Sequence, residues 1–91
     1  MQDLNDLYYY VQAVDHGGFA PAGRVLSMPK SKLSRRIAKL EERLGVRLIQ
    51  RSTRHFAVTD AGEAYYTHCK AMLVEAERAQ EAIDTLTAEP R

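Results

Sequence analysis

Between Pro29 and Gly45 the chain reads PKSKLSRRIAKLEERLG, and its apolar spacing leaves little choice of structure. Leu33, Ile37, Leu40 and Leu44 recur at intervals of four, three and four. That is one stripe of an α-helix, and strand alternation does not bring these residues to one face. At 100° per residue Ser31, Arg35 and Ala38 fall opposite the stripe, with Lys32 and Ser34 to either side. The spacing therefore predicts a helix over 29–44, buried on one side and small, hydroxylated and basic on the other. Gly45 is placed to end it in a left-handed conformation. Such a helix can enter a DNA major groove, where Ser and Ala allow close approach and Lys and Arg donate to guanine edges and phosphates. Seen alone, it also fits a solvated amphipathic helix.

The charge distribution favours the first use. Residues 24–54 carry ten Lys and Arg against Glu41 and Glu42, a balance of +8. Residues 1–23 carry −3 and residues 55–91 carry −4, which closes at the net +1 of the whole chain. A basic middle between acidic ends predicts one polyanion-binding face. At 91 residues there is room for one small domain and an appended element. A single cysteine, Cys69, rules out an intrachain disulfide and suits a reducing cytosol. No apolar run approaches the ~18 residues of a membrane span, and no membrane partner is expected. His16, His55 and His68 have no metal-ligand spacing with Cys69, and Gly17-Gly18 reads as a helix terminator rather than a phosphate loop. Catalytic residues, metal ligands and enzyme activity are not expected.

Around the basic helix the remaining elements follow. Asp3 caps a first helix, Asp6 supports its positive end, and Leu4, Leu7, Val11 and Val14 form a stripe widened by Tyr10. A short helix over 19–26 turns Phe19, Ala22, Val25 and Leu26 inward, with Pro21 tolerated in its first turn. Ser27-Met28 is then a tight turn, and two helices so joined match a helix-turn-helix. Val46, Leu48, Phe56 and Val58 alternate loosely around the polar tip Ser52-Thr53-Arg54-His55, which predicts a two-stranded β-hairpin. Arg51 and Arg54 lie on or beside it, where an Arg can reach a narrow minor groove. Thr59 caps a last helix, with Asp60 and Glu63 in its first turn, running to about residue 87. At ~1.5 Å per residue it is roughly 40 Å long, more than so small a domain can cover. Tyr65, Cys69, Met72, Ala76, Ala79, Ile83 and Leu86 are spaced 4-3-4-3-4-3, the a/d seam of a coiled coil. Tyr66 and Leu73 widen its first half, which is expected to pack on its own domain, while the second half needs a partner chain. Cys69 and Met72 are read as packing residues.

In order and spacing these pieces resemble the DNA-binding domain of LysR-type transcriptional regulators. The likeness rests on Leu7 with Tyr9-Tyr10-Val11, Gly18-Phe19, Leu33-Ser34-Arg35-Arg36-Ile37, Leu40-Glu41, Leu44-Gly45-Val46-Arg47-Leu48, Arg51 and Thr59-Asp60-Ala61-Gly62. It implies a mostly α winged helix-turn-helix, three helices plus a two-stranded β wing, followed by a long dimerisation linker helix. The corresponding division is 1–58 for the DNA-binding domain, 59–88 for the linker helix and 89–91 for a frayed end. It further implies a cytoplasmic bacterial regulator that binds an inverted repeat in double-stranded DNA through the recognition helix 29–44 and the wing 50–57. Lys30, Ser31, Lys32, Ser34, Arg35, Arg36, Lys39, Arg51 and Arg54 are the DNA-contacting candidates. The Tyr65–Leu86 seam would hold a homodimer, with antiparallel helices, and full-length regulators of this kind extend to tetramers. No cofactor is expected in this fragment; a small-molecule effector belongs to a C-terminal domain outside it.

The chain departs from the family pattern at Pro29-Lys30-Ser31-Lys32, where members commonly carry Ser-Gln-Pro-Ala. Lys30 at the Gln position favours guanine over adenine. Gly18 and Ala20 replace hydroxyl residues, which removes one or two phosphate contacts. The rival reading from a different class is a protein-interaction winged helix with a coiled-coil tether. The +8 middle segment argues against it, since protein interfaces are depleted in Lys.

Overall fold

The computed structural model describes residues 3–51 and 54–88, and within them four helices: α1 (Leu4–Asp15), α2 (Phe19–Leu26), α3 (Lys30–Leu44) and α4 (Asp60–Ala88). The Asp3 carboxylate caps α1 by accepting the Asn5 N–H at 2.9 Å. Leu7, Tyr10, Val11 and Ala13 bury against the other helices. Leu4, expected in this stripe, is half exposed, as is Tyr8 one turn on. Periodicity assigns a face but not how far along it the packing partners continue.

In α2 the buried positions are Ala22 and Gly23, with Phe19 and Leu26 partly covered. Val25, expected inside, points to solvent at 59% exposure. The true inward position is Gly23, where a Cβ would stand 2.6 Å from the Met28 carbonyl oxygen. Its missing side chain lets the helix-turn-helix close, and an apolar-pattern reading cannot register a residue that works by having none. Ser27 makes the turn in the left-handed region (φ 54°, ψ 45°), and the Met28 N–H returns to the Gly23 carbonyl at 2.9 Å. Pro29 precedes α3, its carbonyl accepting from Lys32 and Leu33. Leu33, Ile37 and Leu40 are fully buried and Leu44 partly so. Gly45 closes the helix at φ 74°, as its position predicts.

The expected two-stranded wing is not formed as strands among the described residues. A single antiparallel bridge joins Ile49 to Val58, flanked by Gln50 N–H to the Ala57 carbonyl (2.9 Å) and Thr59 N–H to the Leu48 carbonyl (3.0 Å). The Leu48 N–H, which a ladder would turn toward the Thr59 carbonyl, donates instead to the Glu41 carboxylate, as does the Ile49 N–H. Leu48 and Ile49 are both buried and Val46 is exposed, which replaces the alternation expected over 46–48. Ser52 and Thr53 of the expected tip, and the end at 89–91, lie outside the described residues.

Thr59 Oγ1 accepts the Gly62 N–H at 2.9 Å and donates to the Arg47 carbonyl at 2.6 Å, starting α4 and pinning it to the preceding segment. The first turns of α4 press directly on the core. Tyr10 donates its hydroxyl to the Gly62 carbonyl at 2.8 Å, and burial raises its pKa well above the usual tyrosine value. Tyr66 and Lys70 (2.9 Å) both donate to Asp15 at the end of α1. Cys69 is buried, and desolvation pushes its thiol up to about 11, which leaves it protonated and inert at neutral pH. Beyond Leu73 the helix leaves the domain, and the molecule measures 58 × 25 × 21 Å.

Two substitutions probe these close approaches in opposite directions. A Cβ at Gly62 would stand 2.2 Å from the Leu48 carbonyl oxygen and 2.5 Å from Val58 Cγ1. Gly62→Ala should therefore cost on the order of 2–3 kcal/mol. Ser27→Gly removes left-handed strain and should stabilise by roughly 0.5–1 kcal/mol. Urea midpoints of the two variants should move to opposite sides of the wild type.

Candidate nucleic-acid interface

The outward face of α3 is set by its buried stripe. Lys30, Ser31, Lys32, Arg35 and Lys39 are exposed and Ser34 is partly so. Two concavities border this face. In the first, Lys30, Ser31 and Ser34 meet the start of α2 (18–21) and Gln50, Arg51, Arg54 and His55 from the segment after α3. Phe19 and Phe56 pack edge to face beneath it, with ring centroids 5.5 Å apart, and tie α2 to the returning segment. In the second, Lys32, Arg35, Arg36, Lys39 and Arg43 lie beside Asp3 and Asp6 of α1.

The candidates from sequence thus fall into two groups. Lys30, Ser31, Ser34, Arg51 and Arg54 share the first concavity; Lys32, Arg35, Arg36 and Lys39 share the second. Arg36 and Arg51 differ from the rest because carboxylates inside the fold already engage them. Arg36 donates through Nε to Asp6 at 3.0 Å, pairs with Asp3 at 3.1 Å, and stacks 4.9 Å over the Tyr9 ring. Arg51 pairs with Glu41.

Sequence reasoning misses the burial of two carboxylates: it sets Asp6 at the positive end of α1 and gives Glu41 no role of its own. Asp6 and Glu41 are only 5% and 4% exposed. Asp6 accepts from Arg36 and from Arg43 (2.8 Å); Glu41 accepts the Leu48 N–H (2.8 Å), the Ile49 N–H (3.1 Å) and Arg51. A signal was present in the spacing. Glu41 stands four residues after Ile37 and three before Leu44, and Asp6 four before Tyr10, so each lies on a buried stripe. Burial opposes ionisation of Glu41, but the N–H groups of Ile49 and Leu48 and the Arg51 guanidinium outweigh it and hold the carboxyl below its usual range.

The seam expected on α4 divides at the domain boundary. Cys69 is 1% exposed and Tyr65 packs against the core, so the chain's own domain occupies both. Met72, Ala76, Ala79, Ile83 and Leu86 are exposed. The core is completed by the first turns of α4 and has no surface left for the last.

Residues 4–63, which span all three helices of this arrangement and the start of α4, match the family model described as bacterial regulatory helix-turn-helix protein, lysR family. The chain belongs to the lysR family. A transcriptional regulator of Xanthomonas campestris is 42% identical over 89 residues, 98% of this chain and 26% of the relative. The transcriptional activator AaeR of Escherichia coli is 37% identical over 83 residues, 91% of this chain and 27% of AaeR. The chain thus spans about a quarter of the length of these relatives. Among solved structures, the BenM DNA-binding domain in its complex with catB site 1 DNA superposes with a TM-score of 0.88 at 27% identity, covering 99% of this chain and 100% of that one. CrgA, a LysR-type transcriptional regulator from Neisseria meningitidis, gives 0.82 at 32% identity over 100% of this chain and 31% of CrgA. These likenesses extend along α4 as well as over the helix-turn-helix. No described helix is long and apolar enough to cross a membrane.

The Glu41 linkage sets a pH dependence. Its folded pKa lies below the ordinary 4.5, so its stabilisation is complete above that value and disappears as pH falls through the lowered one. Urea titrations from pH 7 down to pH 3 should show wild-type stability falling across this acid range. Glu41→Gln should be less stable at pH 7 by on the order of 1–3 kcal/mol and flatter with pH. Parallel pH profiles for the two proteins would remove Glu41 as a source.

Proposed function

We propose that this chain is the sequence-specific, double-stranded-DNA-binding module of a bacterial transcription regulator, acting as a dimer on an inverted repeat. The observation that carries the reading is the meeting of Lys30, Ser31 and Ser34 on the first turns of α3 with Arg54 across one concavity. The N-terminal end of a recognition helix is the part that usually meets base edges. The superposition on the BenM DNA complex supports the same use. In this reading residues 1–58 form the winged module, the segment around 50–57 serves as the wing, and 59–88 form the linker helix. Lys30, Ser31, Ser34 and Arg35 read bases, Lys32 and Lys39 meet phosphates, and Arg54 reaches the backbone or minor groove. Arg36 and Arg51 brace the fold behind them. The exposed Met72, Ala76, Ala79, Ile83 and Leu86 form the seam of an antiparallel homodimer. Effector binding, and any tetramer, belong to a regulator of full family length in the cytoplasm.

Replacing Lys30 with Ala should cost on the order of 1–3 kcal/mol on a selected site and relax preference at one base pair. Arg54→Ala should instead weaken selected and random duplexes alike and lower the salt slope by about one. Titration of both variants on both duplexes across salt separates the roles; the reverse pattern would exchange them. Binding indifferent to salt would favour a protein-interaction module.

The assembly is tested at Ile83, which is 56% exposed in the single chain. Ile83→Asp puts a charge into the proposed seam and should convert dimer to monomer in sedimentation while the circular dichroism of the winged domain persists. An unchanged dimer would place the interface elsewhere.

A further inference from the structure

The basic side chains of this chain are not equally free, and Asp6 engages two of them. Its carboxylate, 7% exposed, accepts from Arg36 (2.9 Å) and Arg43 (2.8 Å) at once, and Asp3 pairs with Arg36 from the outer side. The Arg36 and Arg43 side chains are 33% and 47% exposed. Both line the same concavity as Lys32, Arg35 and Lys39, so a phosphate that reached those three would lie within range of a released Arg36 or Arg43.

Their angular position gives this arrangement a functional meaning. At 100° per residue, Arg36 and Arg43 stand about 200° and about 180° around α3 from Ser34. They face away from the concavity that holds Lys30, Ser31 and Arg54. Freed, they would attract DNA onto the α1 side of α3, away from Lys30, Ser31 and Ser34. Random-sequence binding is held by phosphate charge alone and would gain from such contacts, whereas a site read through Lys30 and Ser34 would gain less.

We infer that Asp6 is a specificity-determining residue that does not itself touch DNA: by holding Arg36 and Arg43 against α1 it withholds them from phosphate and lowers affinity for random duplex. The inference rests on the DNA-binding reading above.

The experiment titrates the chain across salt with a random-sequence duplex and with the tightest duplex recovered by repeated selection. Asp6→Asn should steepen the log–log salt slope on random duplex by one to two, at about 0.9 per phosphate gained. The selected-to-random affinity ratio should fall about threefold to tenfold. In the otherwise native chain, Arg43→Gln should leave the random-duplex slope unchanged, while Lys39→Gln should lower it by about 0.9. In the Asp6→Asn background Arg43→Gln should remove part of the gain. A folded Asp6→Asn protein with the wild-type slope overturns the inference. So does Arg43→Gln lowering the slope of the native chain as much as Lys39→Gln, and that comparison decides if Asp6→Asn does not fold. Wild-type protein with no salt-dependent DNA binding removes the DNA-binding reading, and this inference with it.

Discussion

A recognition helix is useful only if its neighbours are fixed in register with it, and here one buried carboxylate does much of that. Glu41 looks inward from α3 and takes the N–H groups of Leu48 and Ile49, together with the Arg51 guanidinium. A charge so placed is costly unless its lone pairs are filled, and the following segment folds in the one way that fills them. The same contacts bring Arg51, Arg54 and Phe56 back beside Lys30 and Ser34. Asp6 does the corresponding work on the other flank, joining α1 to α3 through two arginines. The outer face of α3 is therefore held between two acid-centred junctions, and each also consumes positive charge.

What the sequence made legible was whatever apolar spacing or capping chemistry encodes. The stripe Leu33–Ile37–Leu40–Leu44, the αL residue Gly45, the cap at Asp3 and the start of α4 after Thr59 all appear where the residues placed them. The errors have a common origin in assigning one role to each residue type. Val25 was assigned to the core because it is apolar, although Gly23 holds the inward position. Asp6 reads as a charge that supports the start of α1, although its spacing, like that of Glu41, puts it on a buried stripe. The residues around 46–58 favour strands, and among the described residues they form the Ile49–Val58 bridge, with the Leu48 N–H turned to a side chain instead. The pairing of Arg36 with Asp6 and of Arg51 with Glu41 is likewise not legible, since charge is visible in a sequence and pairing is not.

The long helix shows a different boundary. Tyr65, Cys69 and Leu73 complete the core, and Ile83 and Leu86 stand more than half exposed a few turns later. A single heptad pattern thus runs through two environments, an intramolecular one and an unpartnered one. Spacing reports that a face is apolar along its whole length and says nothing of which chain covers each part of it.

At the point where α4 departs, Asp15 receives Tyr66 and Lys70 from consecutive turns of the helix. From Leu73, one turn further on, to Ala88 the helix extends about 22 Å beyond its own domain. It is a stiff arm with its pivot at one end. A change of about 8° in its angle there sweeps the far end through about 3 Å. Three polar side chains, Asp15, Tyr66 and Lys70, thus hold the base of a long lever.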